Sequence, residues 1–344
     1  MPLQIIGIQL LANYPEWVEK YYSQSLFQKI AEVERFLFGS IPFSIGDLLY
    51  VFFGVAIIYW LLRRIKTGFK HPQQWGLKLI AALSILYFCF HVLWGINYYR
   101  LPLHQSLSLQ QEYEYEELLS LTKTLIHKSN ALQEHLTEDQ SQPVNFSFSF
   151  QEMKKLSVQG YDLVDDKHPY LNYNFSSVKK SLLSYPLTYM GFSGYLNPLT
   201  NEAQINYKLP RFKFPTLITH EMAHQIGYAK ENEANFMAAL ATINHPNPYF
   251  SYAGYTFALQ YCIADVARHN PKDAKRLVEK INSGVRKNYQ ESYDFWEKYE
   301  NPLEPFFKLF YGNYLKVNQQ PEGMQSYHYV VGLLVNYYQG EQAL

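Results

Sequence analysis

The sequence predicts an α+β, predominantly helical protein in which two apolar helices of membrane-crossing length precede one sizeable water-facing domain. Three features of the 344-residue chain carry that prediction. Residues 41–62 and 79–96 are almost wholly apolar, and a His-Glu-x-x-His run stands at 220–224. Just before that run, Gly191, Gly194, Asn197, Pro198 and Asn201 punctuate short extended pieces in an otherwise helical pattern. The expected organisation is an N-terminal segment 1–40, a two-helix anchor 41–98 with a connector 63–78, and a domain 99–344.

Taken in order, residues 3–12 are apolar but too short to span a bilayer, and they lack the basic start of a signal peptide. They read as the tail of a third span or as an interfacial stub. Between 13 and 40, Trp17, Val18, Tyr21, Tyr22, Leu26, Phe27 and Ile30 alternate with charges, which predicts one or two amphipathic helices on the membrane surface or against the domain. Only Ser44 and Asp47 interrupt the first apolar run, and Ser84 and His91 the second. Each run approaches or exceeds what a hydrocarbon core of about 30 Å requires. Trp60, Trp75, Trp94 and Tyr98 fall where interfacial aromatics belong. His91 is expected to bond a neighbouring helix rather than to serve chemistry. The connector carries Arg63, Arg64, Lys66, Lys70 and Lys78 with no acid, which places it in the cytoplasm and both flanks on the other side.

Beyond residue 100 the chain is soluble in character. Residues 109–136 predict a long helix, Ser149 and Glu152 form a capping box for the next, and 252–268, 272–299 and 325–338 are further helical runs. The formal net charge is zero and no basic stripe with interleaved aromatics occurs, which argues against nucleic acid as a partner. Cys89 lies in an apolar run and Cys262 in the domain, so no disulfide is expected.

The chemistry is concentrated in His220-Glu221-Met222-Ala223-His224. Residues four apart are neighbours on a helix, so the two imidazoles can grip one zinc ion. Glu221 is placed to reach a water beside the metal and take its proton. Ile218, Met222 and Ile226 form the opposite, packed face; Pro215 suits the first turn, and Gly227 suits a left-handed stop. A hydrolytic zinc needs a third protein ligand. After a turn at Gly227 a second helix can bring Glu231 to the metal, with Asn235 on the same face to orient a ligand. Glu233 points about 200° away on an ideal helix and is the alternative if the turn ends later.

The run His220 to Phe236 resembles the core signature of a bacterial membrane-protein family designated domain of unknown function 3810, within the zincin superfamily of metallopeptidases. The resemblance covers most of the chain. It includes Pro42-Phe43-Ser44-Ile45-Gly46-Asp47, Trp94-Gly95-Ile96-Asn97-Tyr98-Tyr99-Arg100, Tyr314-Leu315-Lys316-Val317-Asn318 and Gly323-Met324-Gln325-Ser326-Tyr327. It implies a zincin-like catalytic domain outside a bacterial inner membrane. Against metzincins the match fails at Lys230, where their third histidine would fall. Residues 231–235 are similar to the E-x-x-A-D helix of membrane zincins that process prenylated proteins, whose glutamate is the third ligand; Asn235 replaces the aspartate, and the connection from His224 is shorter. Zincins bind extended peptide along an edge strand beside the zinc helix, which makes 203–208 the candidate here. They also place a late Tyr or His at the oxyanion, which makes Tyr327 and His328 candidates, with Tyr314 behind them.

These features lead to a membrane-anchored zinc metallopeptidase acting on peptide or protein. His220, His224 and Glu231 hold zinc, and Glu221 is the general base. Cleavage within the membrane is disfavoured because the motif lies in polar surroundings, well away from either span. The alternatives are a noncatalytic, zinc-stabilised binding or sensing protein, and a hydrolase of a nonpeptide envelope amide.

Overall fold

The structure, a computed structural model, describes residues 1–68, 70–165, 173–318 and 327–339, with backbone alone for Asp165, Tyr327 and His328. The first half contains α1 (Pro2–Leu11), α2 (Pro15–Trp17), a π-helical stretch Val18–Leu26 running into α3 (Phe27–Gly39), α4 (Ile45–Lys66), α5 (Pro72–Leu93), a 3₁₀ turn Gly95–Tyr99, α6 (Leu103–Ser106), α7 (Tyr115–Thr137) and α8 (Phe150–Asp165). Then follow β1 (Val178–Lys180), α9 (Ser184–Met190), β2 (Gly194–Asn197), β3 (Glu202–Ile205), a 3₁₀ turn Arg211–Lys213 and α10 (Phe214–Gln225). The chain continues through α11 (Glu231–Ile243), α12 (Pro248–His269), α13 (Pro271–Glu279), α14 (Ser283–Tyr299), α15 (Glu304–Val317) and α16 (Tyr327–Gln339).

Helices α4 and α5 have 22 residues each, hence a length of about 33 Å, enough for a hydrocarbon core of about 30 Å. Only 11% and 6% of their most apolar stretches are buried, whereas the core helix of a soluble protein would be covered by its neighbours. Trp60 and Trp75 meet edge to face at 5.8 Å near the basic connector. The opening apolar stretch is neither free nor at the helix end: Gln4 exchanges hydrogen bonds of 2.9 and 3.3 Å with Ser84, midway along α5. His91 departs from expectation. Its ring bonds the Tyr87 carbonyl of its own helix at 2.9 Å. The neighbouring element instead donates the Tyr22 hydroxyl to the carbonyls of His91 and Val92, which a helix end leaves without partners.

In the domain, α10, α11 and α12 pack together and α7 lies along α12, burying Ile218, Met222, Phe236, Leu240, Tyr252 and Leu259 in one apolar core. The capping box is present, with Glu152 and Ser149 accepting from each other's backbone N–H. Helix α7 starts at Tyr115 rather than 109, after its own capping box between Glu114 and Glu117. The run 272–299 divides into α13 and α14 because the Asn282 N–H and side-chain amide turn to Asn130 and Gln133 of α7. Cys89 and Cys262 are free thiols.

A three-stranded sheet of order β1-β3-β2 lies against α10, with β3 parallel to β1 and antiparallel to β2. This corrects the expectation for 203–208. That segment supplies the central strand, whose backbone groups are engaged on both sides. The edge beside α10 is β2, an apolar-aromatic strand that composition alone does not distinguish from a loop.

The C-terminal end of α10 is closed by a Schellman turn. The N–H of Tyr228 donates to the Ala223 carbonyl at 3.0 Å and that of Gly227 to the His224 carbonyl at 3.1 Å, with Gly227 at φ 94°. Side chains from the first hundred residues complete the end: Trp94 Nε1 adds a second donor to His224 O, and Arg35 Nη1 meets Gln225 O, Gln28 Nε2 meets Ile226 O and Arg100 Nη1 meets Gly227 O. Arg35 is 2% exposed and also bonds Asn174 O and Asn201 Oδ1. Arg100 is held by Glu19 in a two-pronged pair at 2.6 and 2.8 Å. The segment 15–39 is thus built into the domain. At π pitch, side chains five apart align, and Gln24 meets Glu19 and Gln28 meets Ser23 O at 2.8 Å each.

The start of α4 is docked in the opposite electrostatic sense. Buried Glu202 of β3 accepts from the Ile45 and Gly46 N–H groups at the start of α4, and Ser44 caps Asp47 N at 2.8 Å. Asp47 in turn accepts from Ser181 Oγ, Leu182 N and the Tyr195 hydroxyl. We predict that Arg35→Met, which leaves buried carbonyls unpaired, lowers unfolding stability in detergent by about 3 kcal/mol. A change below about 0.5 kcal/mol, within the range of an ordinary surface substitution, would show that these carbonyls find other donors.

Candidate metal site

Helix α10 carries His220 and His224 one turn apart, with ring centroids 4.7 Å apart and planes at 87°. The Schellman turn reverses the chain and lays the first residue of α11 across them. Glu231 Oε2 lies 3.3 Å from His220 Nε2, and Glu231 Oε1 lies 3.8 Å from His224 Nε2. One donor atom from each of the three residues falls within 4.8 Å of the others. Glu233 faces elsewhere, accepting from Leu103 N at 2.9 Å. Asn235 is on the site side, hydrogen-bonded to His220.

The turn that positions Glu231 also orients the His224 imidazole. The Tyr228 carbonyl sits 2.6 Å from His224 Nδ1; a carbonyl only accepts, so the proton is fixed on Nδ1 and the Nε2 lone pair faces Glu231. Tyr311 of α15 donates its hydroxyl to Glu231 Oε1 at 2.6 Å.

Charge states follow from burial and proximity. Burial pushes the His224 imidazole down to about 4, with His220 adding to the effect. Burial alone would raise Glu231, but hydrogen bonds and charge from His220 and His224, with Tyr311, hold it at about 2. Burial opposes protonation of His220, yet Glu231 outweighs it and raises that ring. Glu221 is pushed up to about 8 by burial.

A tetrahedral zinc with bonds of about 2.0–2.1 Å keeps its ligand atoms about 3.4 Å apart; the separations of 3.3 and 3.8 Å, each to a different oxygen of Glu231, lie near that spacing, and the set as a whole, within 4.8 Å, would draw in slightly on binding. A neutral imidazole and an ionised carboxylate are the forms a divalent cation takes, and the proton between His220 and Glu231 is the one it would displace. Glu221 is 3% exposed, and among the described residues its Oε2 has no hydrogen-bond partner. The donor set therefore fits zinc, with a carboxylate oxygen in reserve.

Beside Glu221 runs the edge strand β2. A Cβ on Gly194 would lie 2.6 Å from Glu221 Oε1 and 2.7 Å from Gln204 O, so only glycine lets strand and helix approach this closely. Helix and strand border a cavity of about 1160 Å³ lined by His220, Glu221, Tyr195 and Trp94, and also by Tyr50 of α4 and Phe90 of α5. The expectation that the motif stands well away from the apolar helices is therefore wrong. Sequence separation misled: the Trp94 indole, one residue past α5, donates to the backbone of His224 itself at 3.1 Å.

The side chains of Tyr327 and His328 lie outside the described residues, as do residues 323–326 of the late motif. Tyr314 lines the cavity, its hydroxyl 3.4 Å from that of Tyr98. Tyr311 was not singled out from sequence, although it precedes Tyr314 by three residues and so shares a helix face with it. Arg35, Arg100 and Trp94, which hold the end of the histidine helix, carried no local signal of that role.

The model of a family described as "Protein of unknown function (DUF3810)" matches residues 22–335. No curated protein and no solved structure matches the chain. If the three clustered residues hold a metal, Glu231→Gln loses zinc while Glu233→Gln keeps it. Metal analysis of the purified variants decides, and zinc retained by Glu231→Gln would rule Glu231 out.

Proposed function

The chain belongs to the DUF3810 family, and from the geometry of its site we propose that it is a membrane-anchored, zinc-dependent metallopeptidase of zincin-like type. The observation that carries this reading is the convergence of His220, His224 and Glu231 within 4.8 Å beside a buried, unpartnered Glu221 oxygen on the wall of a large cavity. Further support comes from the order of parts: a bordering edge strand, a His-Glu-x-x-His helix, a tight turn, and a helix that returns a glutamate.

Zinc, when bound, supplies a positive charge that polarises a carbonyl and brings the pKa of water towards neutrality. The same positive charge would bring Glu221, which burial holds up at about 8, back to its ionised form, so that it can take the proton of the attacking water and deliver it to the leaving amine nitrogen. His224 is kept in one tautomer by Tyr228, and Glu231 is held in place by Tyr311. The free edge of β2 aligns an extended backbone beside Glu221. The basic residues at the connector end of α4 support an orientation with the domain outside a bacterial inner membrane.

Two measurements test the reading. Wild type and Glu221→Gln should both hold zinc, with wild type alone cutting a peptide library and the variant slower by at least about a hundredfold; equal cleavage would remove Glu221 from the mechanism. A reporter fused after Lys66 should lie in the cytoplasm and one at the C-terminus outside; the same side for both, or the reverse pair, would overturn the orientation.

A further inference from the structure

We propose, on the strength of the peptidase reading, that the substrate is a polypeptide anchored in the same membrane and cut just outside its own span. The cavity that holds His220 and Glu221 is walled by Tyr50 and Phe90 from the anchor helices. Helix α4 begins at Ile45 and α5 ends at Leu93. At 1.5 Å per residue, Tyr50 lies about 8 Å and Phe90 about 5 Å inside the helix ends. The floor of the cavity is therefore level with the boundary between headgroups and acyl chains, not with bulk water.

A second element places lipid around the mouth. Helix α15 turns Tyr311 and Tyr314 inward, the first onto Glu231 and the second against Phe90 with ring centroids 6.3 Å apart. Its other face exposes Phe306, Leu309, Phe310 and Val317, at 65%, 65%, 69% and 78%. A helix with an apolar outer face, packed against the end of a span, lies in the membrane surface with that face among the lipids. The remaining walls include Leu187, Met190, Phe192 and Trp296, so apolar side chains are accepted where a water-soluble peptide would have few.

A polypeptide is favoured over a lipid because β2, directly beside Glu221, pairs on one side only among the described residues, and such an edge recognises an extended chain. Trp94 spans the distance from the end of α5 to His224 with one side chain. The scissile bond should accordingly lie within about five extended residues of the substrate's span, at about 3.3 Å each.

The test uses the full chain, zinc-loaded, in lipid vesicles. Three peptide libraries share one randomised segment: joined directly to a model transmembrane helix, joined through a long flexible spacer, or free in solution. Direct attachment should raise cleavage by about a hundredfold over the free library, with the spacer removing most of the gain. Equal cleavage of anchored and free libraries overturns this inference and leaves the peptidase standing. No cleavage in any arm overturns both, and lipid breakdown without peptide cleavage replaces polypeptide by lipid. Independently of turnover, a photo-cross-linking amino acid at Met190 in Glu221→Gln should capture the directly anchored peptide at its flanking residues and not the free one; capture of both alike overturns the inference.

Discussion

The carbonyl groups at the C-terminal end of α10 are the constraint on which the rest of the molecule turns. A helix end leaves acceptors without intrahelical partners, and in a dry interior each must find a donor or destabilise the fold. Here the carbonyls of Ala223 and His224 are taken up by the Schellman turn through Gly227, with Trp94 as a second donor to His224, and those of Gln225, Ile226 and Gly227 by Arg35, Gln28 and Arg100. Because His224 occupies that same last turn, whatever satisfies the helix end also sets the position of a candidate ligand. The N-terminal helix and the boundary of the apolar pair are therefore parts of the site's frame.

The electrostatics of this docking are complementary at both ends. Two guanidinium groups meet the negative end of α10, while the Glu202 carboxylate meets the positive end of α4. Buried charges are costly unless paired or hydrogen-bonded: Arg100 is bidentate on Glu19 and stacks over the Tyr228 ring at 4.3 Å, whereas Arg35 is met by neutral oxygens and lies over the Tyr173 ring at 5.1 Å, and Glu202 is met by N–H and hydroxyl donors. The result fixes the apolar helices to the domain through directional bonds rather than through apolar packing alone. Tyr195 extends the linkage, reaching from β2 to Asp47 and stacking on Tyr50 at 5.8 Å.

Local features were legible where the chemistry is local. The i, i+4 spacing places His220 and His224 on one face, Gly227 stops the helix, Ser149 and Glu152 cap α8, and helical phase separates Glu231 from Glu233. Each is decided within a few residues. The reading failed where the answer depends on a distant partner. Segment 203–208 became a central strand because β1, more than twenty residues earlier, pairs with it. The run 272–299 broke where Asn282 meets α7, and the contact expected of the His91 ring with a neighbouring element is made instead by its backbone carbonyl, which accepts from Tyr22.

What the sequence by itself determined is the set of parts: two apolar helices with a basic connector, a histidine helix with its stop, and a glutamate in the first turn of the next helix. Periodicity, capping and turn chemistry act over one or two helical turns, so they can be read without the fold. The tertiary structure alone decided where those parts meet. It set the cavity against the ends of the apolar helices, brought Tyr311 onto Glu231, and made β2 rather than β3 the edge. Those outcomes depend on which donor in the whole chain reaches a given buried acceptor, a competition among residues far apart in sequence that no local pattern encodes.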